Sequence, residues 1–159
     1  MEDQMNYRLA LTKVMSWCSK SERCISEAKL QLRKFELTDN ELDTALDYLV
    51  LEKFVDDSRY VHFYVNDKLR FNKWGKVKLH YMLRQQQIND LLINKALDEI
   101  DKDLYLKILR ELLSSKMKSV KGSSDYERRG KLANYAQSHG FESDLAYRIA
   151  NELIGGKEV

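Results

Sequence analysis

The stretch RFNKWGKVKLHYMLR, from Arg70 to Arg84, places five firmly cationic side chains among three aromatic ones within fifteen positions. The cations are Arg70, Lys73, Lys76, Lys78 and Arg84, with His80 as a sixth when protonated, and the aromatics are Phe71, Trp74 and Tyr81. Guanidinium and ammonium groups gathered in this way suit the capture of an anionic partner, whether DNA phosphates or an acidic protein surface. The basic character is local. From Arg59 to Arg84 there are seven Lys or Arg and one acid, Asp67, in a chain of 27 basic and 25 acidic residues with a net charge of +2.

Other chemistry finds little support in the residue pattern. GSSDYERRGKL contains two glycines and a lysine, but seven residues separate Gly122 from Gly130, and Leu132 stands where a phosphate loop needs Ser or Thr for magnesium. His62, His80 and His139 lack any spacing suited to a metal or a nucleophile pair. Cys18 and Cys24 have no partner ligands for zinc and are read as reduced thiols. Asp56 and Asp57 are explained as helix-start residues. No catalytic residue, metal or cofactor is expected.

The elements that must carry the cations are helices. The 159-residue chain has no proline and 43% hydrophobic residues, and its apolar positions recur at three- and four-residue spacing nearly throughout. An all-α fold is expected, with helices over 6–18, 21–36, 38–54, 57–71, 73–87, 89–99, 102–119, 124–139 and 143–154. No apolar run approaches the roughly 20 residues of a bilayer span, and MEDQMNYR is too polar for a secretory signal, so a cytoplasmic location is expected.

The helices repeat. Leu37, Ile88 and Phe141, spaced 51 and 53 apart, open the similar stretches LTDNELDTAL, INDLLINKAL and FESDLAYRIA. The preceding helices keep these offsets at Ala28, Leu79 and Leu132, and again at Leu32, Leu83 and Ala136, with Ser21, Asn72 and Ser124 as cap candidates. Thr38 and Glu41 form a capping-box pattern, with Leu37 placed to staple onto Leu42. Ile88, Asn89 and Ile93 repeat the staple, whereas Glu142 occupies the cap position of the third copy. Three tandem three-helix repeats, 1–55, 56–101 and 102–159, should form an elongated, curved body that binds rather than catalyses.

In the middle repeat, Arg59, His62, Asn66 and Arg70 make one polar stripe. Tyr60, Val61, Phe63, Tyr64, Val65, Leu69 and Phe71 cover the remaining surface and are read as core. On the next helix Leu79, Met82 and Leu83 supply a buried face, with Lys76, His80 and Arg84 on the adjoining flank. That row of like charges either meets acids from elsewhere or is kept for an anionic partner. Gly75, after Trp74, is placed in the first helical turn, where a close backbone approach is one explanation. In the third repeat KMKSVKGSSDYERRGK reads as a solvated link, with a second phosphate-contacting patch as the alternative.

The segment DDSRYVHFYVNDKLRFNKWGKVKLHYMLRQQQI resembles the signature region of the RecX family of regulatory proteins: an acidic pair, Arg-Tyr, an aromatic-Val pair, a basic residue, Trp-Gly, Lys-Leu and a closing Leu. QSHGFESDLAYRIA resembles the family's third-module turn. The chain departs from the family at Gln87 and Glu36, where glycine is common, and at Val61, where alanine is. The resemblance implies three tandem three-helix modules and regulation of the RecA recombinase by binding along the groove of its nucleoprotein filament, which limits filament growth, ATP hydrolysis and strand exchange. It implies a place in DNA repair and the SOS response, and no chemistry by the chain itself.

Within that frame the expected partner-binding or DNA-binding residues are Arg59, Lys68, Arg70, Lys73, Trp74, Lys76, Lys78, His80 and Arg84. A monomer acting on the RecA filament is the leading reading. The alternative is a direct DNA-binding protein that contacts single- or double-stranded DNA through basic three-helix modules.

Overall fold

The computed structural model describes residues 2–155, all helix, turn and loop. The helices are α1 (Glu2–Ser19), α2 (Ile25–Leu32), α3 (Asp39–Leu51), α4 (Asp57–Asp67), α5 (Lys76–Gln85), α6 (Asp90–Asp98), α7 (Lys102–Met117), α8 (Asp125–Ser138) and α9 (Ser143–Gly155). A π-helical turn, Lys68–Asn72, extends α4. Among the described residues no helix is long and apolar enough to cross a membrane. The all-α expectation holds, and the helices fall close to their expected places.

The chain divides into two compact units, residues up to Tyr64 with Leu83–Leu92, and Val65–Met82 with the residues from Ile93 onward. The first unit is built on Ala10, Val14, Ala28, Leu32, Leu42, Ala45, Leu49 and Val55, all buried. The second is built on Leu69, Tyr105, Leu109, Leu113, Leu132, Ala136, Phe141 and Ile149. Each buried Leu, Ile or Phe contributes about 1.5–3 kcal/mol, and this apolar burial is what fixes helices too short to persist alone.

Caps set the helix starts. Thr38 Oγ1 accepts from Glu41 N at 3.2 Å and Glu41 Oε1 accepts from Thr38 N at 2.9 Å, the capping box expected there. Asn89 Oδ1 accepts from Leu91 N at 2.7 Å, and Ser124 caps α8 through Glu127 N at 3.1 Å. Ser21 does not cap α2, which begins four residues later. There Glu27 Oε1 takes the Cys24 N–H at 3.1 Å, and Asp57 Oδ1 takes the Ile25 N–H at 2.9 Å. A carboxylate distant in sequence thus supplies the acceptor that local pattern assigned to serine. Its neighbour Asp56 caps α4, with Oδ1 accepting from Arg59 N at 3.1 Å.

Asn72 is not a cap either. It ends the π turn, Lys73 follows in the left-handed region at φ 54, and Gly75 lies before α5, with its carbonyl accepting from Leu79 N at 3.0 Å. The helix cannot begin at residue 73 because the left-handed Lys73 interrupts it and the Gly75 N–H is held by His139 O at 2.8 Å.

Two aromatics expected in the core lie at the surface. Phe63 is 48% exposed and Phe71 is 80% exposed, while Tyr60, Val61, Val65 and Leu69 are buried as expected. The π turn accounts for Phe71, since an extra residue per turn shifts everything after Asp67 out of the 3.6-residue register.

Candidate partner-binding site

In the second unit two lysines flank one ring of the basic stretch. Lys78 Nζ lies 4.5 Å and Lys68 Nζ 5.4 Å from the centroid of Trp74. Such contacts are worth about 0.5–1 kcal/mol at exposed sites, enough to order the two chains without removing their charge from solvent. Lys68 comes from the π turn and Lys78 from the first turn of α5, so Trp74, in the connection between them, is held by the break in helical register that sequence periodicity did not foresee.

The backbone beneath is fixed by the turn that enters α9. His139 O accepts from Gly75 N at 2.8 Å and Gly140 O accepts from Val77 N at 2.9 Å. His139 Nδ1 lies 3.1 Å from the Lys73 carbonyl. Tyr105 completes the frame: its hydroxyl accepts from Lys76 N at 2.9 Å and donates to Glu142 Oε1. Burial, reinforced by that bond to Glu142, pushes the Tyr105 phenol well above its ordinary pKa. The hydroxyl therefore stays protonated and keeps donating. Glu142, which stands at the cap position of α9, spends its side chain on Tyr105.

The remaining cations differ in their engagement. Lys76 Nζ lies 5.1 Å over the Tyr105 ring. Lys73 pairs with Glu111 at 3.7 Å and Lys68 with Asp67 at 3.8 Å, all partly exposed, so these pairs are weak and can be exchanged for a partner's anions. Arg70 is exposed on the π turn, next to Phe71.

Two expected site residues, Arg59 and Arg84, belong to the other unit. Arg59 donates through Nε to Glu22 Oε2 at 2.7 Å and through Nη2 to Lys53 O at 3.1 Å. Arg84 lies 3.6 Å from Asp90 on exposed surface. His80 and Lys76, on the α5 flank, are half-buried, so that flank is less open than the row of charges implied. The structure therefore places Lys68 and Lys78 on Trp74, ties Lys73 and Lys76 into the same connection through His139 and Tyr105, leaves Arg70 exposed on the π turn, and sets Arg59 into an ion pair with Glu22. Tyr105, His139 and Gly140, which position the cluster, were missed by sequence reasoning. Their roles depend on contacts 29 to 66 residues away, to which periodicity is blind.

Among the described residues no group of three or more His, Cys, Asp or Glu could hold a metal ion. Both cysteines are free and buried; burial pushes the Cys24 thiol up to about 11, an unreactive state.

Residues 56–97 match the pattern of the RecX second three-helix domain, and residues 103–149 match that of the RecX third three-helix domain. The chain belongs to the RecX family. Relatives named regulatory protein RecX include that of Clostridium acetobutylicum, 28% identical over 96% of this chain and 72% of its own length. That of Clostridioides difficile is 27% identical over 99% and 74%, and that of Prosthecochloris aestuarii 26% over 92% and 95%. The crystal structure of RecX from Lactobacillus salivarius superposes with a TM-score of 0.85 at 17% identity, covering 94% of this chain and 97% of that one. A second RecX crystal structure gives 0.81 at 18% identity. These likenesses agree with the repeated three-helix fold, and the names of the relatives support a regulatory role for this RecX-family chain.

Proposed function

We propose that this RecX-family protein binds the RecA nucleoprotein filament and inhibits its ATPase and strand-exchange activities, modulating DNA repair, recombination and the SOS response from the cytoplasm. The protein acts as a monomer of three repeats, divided after residues 55 and 101, and carries out no chemistry of its own. The observation that supports this reading best is the cationic cluster around Trp74. Lys68 and Lys78 lean on its ring, Arg70 is exposed on the same π turn as Lys68, and the backbone of Gly75, Lys76 and Val77, between Trp74 and Lys78, is fixed by Tyr105 and the 139–140 turn. Such a surface presents positive charge at defined positions, which favours recognition of an extended polyanionic assembly over diffuse attraction.

The test is DNA-dependent ATP hydrolysis and strand exchange by the cognate recombinase with this protein added. Inhibition at stoichiometric or lower amounts is expected; its absence rejects the reading. Binding to bare duplex DNA, measured as salt is raised, separates the filament from DNA alone as the partner, since tight binding that falls steeply with salt would favour DNA alone.

A further inference from the structure

The second unit carries a separate cleft, of about 280 Å³, lined by Tyr126, Glu127, Arg129 and Gly130 of α8 and by Tyr147 and Asn151 of α9. Its volume falls near the lower end of the range for small-molecule sites, room for one planar ring system. Each helix contributes a tyrosine and, four residues on, a small or flat residue: Tyr126 with Gly130, and Tyr147 with Asn151. Tyr126 is 84% exposed and Tyr147 44% exposed, so both rings offer an open face to a ligand.

Gly130 sharpens the reading. It lies inside α8, where glycine is the worst helix former after proline. A Cβ added there would meet nothing within 4 Å, so among the described residues no neighbouring element requires its bareness. A local rule is broken without an internal gain, the pattern expected where an outside group must approach the backbone. Arg129 is steadied at the edge by Asn151 Oδ1 at 3.4 Å and by the Asp125 carbonyl at 3.3 Å.

The surroundings are basic. From Lys116 to Lys131 there are six Lys or Arg against Asp125 and Glu127. The two acids are already committed, Asp125 to Arg128 at 3.3 Å and Glu127 to Lys131 at 3.4 Å and to Ser123. These bonds hold the Glu127 carboxyl below its ordinary range, so it offers no proton to a ligand at neutral pH.

We propose that this cleft receives an unpaired base of single-stranded DNA between Tyr126 and Tyr147 over the bare backbone of Gly130, with the adjoining phosphates on the basic link. The choice of DNA rests on the filament reading, whose partner contains a DNA strand. Tyrosine rings stack on any base, so the site is sequence-tolerant, and its affinity divides into a ring part and a charge part.

The full-length protein is titrated against a fluorescein-labelled oligothymidine, an abasic oligomer of equal length and charge, and an oligouridine. Wild type should bind oligothymidine about tenfold tighter than the abasic strand. The double variant Tyr126→Ala, Tyr147→Ala should lose that tenfold while binding the abasic strand as before. Tyr126→Phe, Tyr147→Phe should keep it, and Gly130→Leu, which fills the cleft, should lose it without a lower melting temperature. Wild type binding the two DNA strands equally, or the alanine pair weakening both alike, overturns the proposal. Tighter binding of oligouridine overturns the choice of DNA. No recombinase is present, so a failed cleft alongside intact filament inhibition rejects only this site, and the converse rejects only the filament reading.

Discussion

Gly75 and Gly140 meet backbone to backbone. A Cβ added to Gly75 would lie 2.5 Å from the Gly140 carbonyl carbon and oxygen and from Phe141 N, and one added to Gly140 would lie 2.2 Å from Lys78 Cβ. Main chain cannot step aside as a flexible side chain does. Gly75→Ala should therefore cost about 1–3 kcal/mol by overpacking. Gly140→Ala should cost more, because φ +90 adds roughly 1–2 kcal/mol of left-handed strain for any residue with a Cβ. Urea denaturation checks both; midpoints equal to wild type would mean that the contact is looser than described.

Tyr105 joins the same region through its hydroxyl, which accepts from Lys76 N and donates to Glu142. Tyr105→Phe keeps the ring and its packing on Phe141 at 5.2 Å between centroids. It leaves the Lys76 N–H without its acceptor, a loss of about 1–3 kcal/mol. The pH dependence has a definite sign. The folded phenol titrates above its unfolded value, so the unfolded chain loses this proton first. The contribution is complete below pH of about 10 and is lost as pH rises beyond it. Wild-type stability should fall in that alkaline window by more than that of Tyr105→Phe, as read from melting temperatures at stepped pH.

How much of this could be read from the sequence follows from the range of the interactions. Thr38 with Glu41, and Asn89 two residues before Leu91, are local pairs, and the pattern placed them correctly. The failures at Ser21 and Asn72 have one cause: the group that decided each helix start lies far along the chain, Asp57 for Ile25 and His139 for Gly75. Helical periodicity places Phe71 in the core, but the turn that carries it is π-helical and turns it out to solvent. Of the site, the types and crowding of the cations were legible in the sequence, but not that Arg59 is tied to Glu22 while Lys68 and Lys78 share the Trp74 ring.

Asp57 gives a second pH test, in the acid range. Burial raises its carboxyl pKa, opposed by the bond from Ile25 N. With the folded pKa above the unfolded one, ionisation is harder in the folded state, so this group's contribution is most favourable below about pH 4 and diminishes as pH rises through the raised folded value. Asp57→Asn retains an oxygen to accept from Ile25 N and removes the buried charge. At pH 7 it should match or exceed wild-type stability, with the difference shrinking toward pH 4. Asp57→Ala, which leaves the Ile25 N–H without its acceptor, should lose about 1–3 kcal/mol. Thermal melts across pH 3–7 compare the three.

The cations around Trp74 can be separated from those that only support the fold. Lys68→Glu with Lys78→Glu removes two partly exposed ammonium groups and their weak ring contacts, so melting should change by no more than about 1 kcal/mol. Inhibition of recombinase ATP hydrolysis should weaken by about tenfold or more, since both charges reverse toward an anionic partner. Arg59→Ala should show the opposite profile: lower stability, from the loss of the Glu22 pair and the bond to the Lys53 carbonyl, with inhibition kept at temperatures where the chain is folded. If Arg59→Ala abolished inhibition without destabilising, the assignment of the site to the second unit would be wrong.

Gln87 provides the last prediction. It follows α5 with φ 59, where a Cβ crowds the following carbonyl and only glycine is at ease. At the matching place before α9 the chain uses glycine, Gly140, with φ +90. Gln87 is exposed, while its backbone N–H donates to Arg84 O at 2.9 Å and would do so equally well from glycine. Gln87→Gly should therefore raise stability, since relief of about 1–2 kcal/mol of strain exceeds the roughly 0.5–1 kcal/mol of extra freedom that glycine gives the unfolded chain. A urea midpoint shifted upward at constant slope is the expected result. A downward shift would mean that the Gln87 side chain makes a stabilising contact of its own, larger than the strain it imposes.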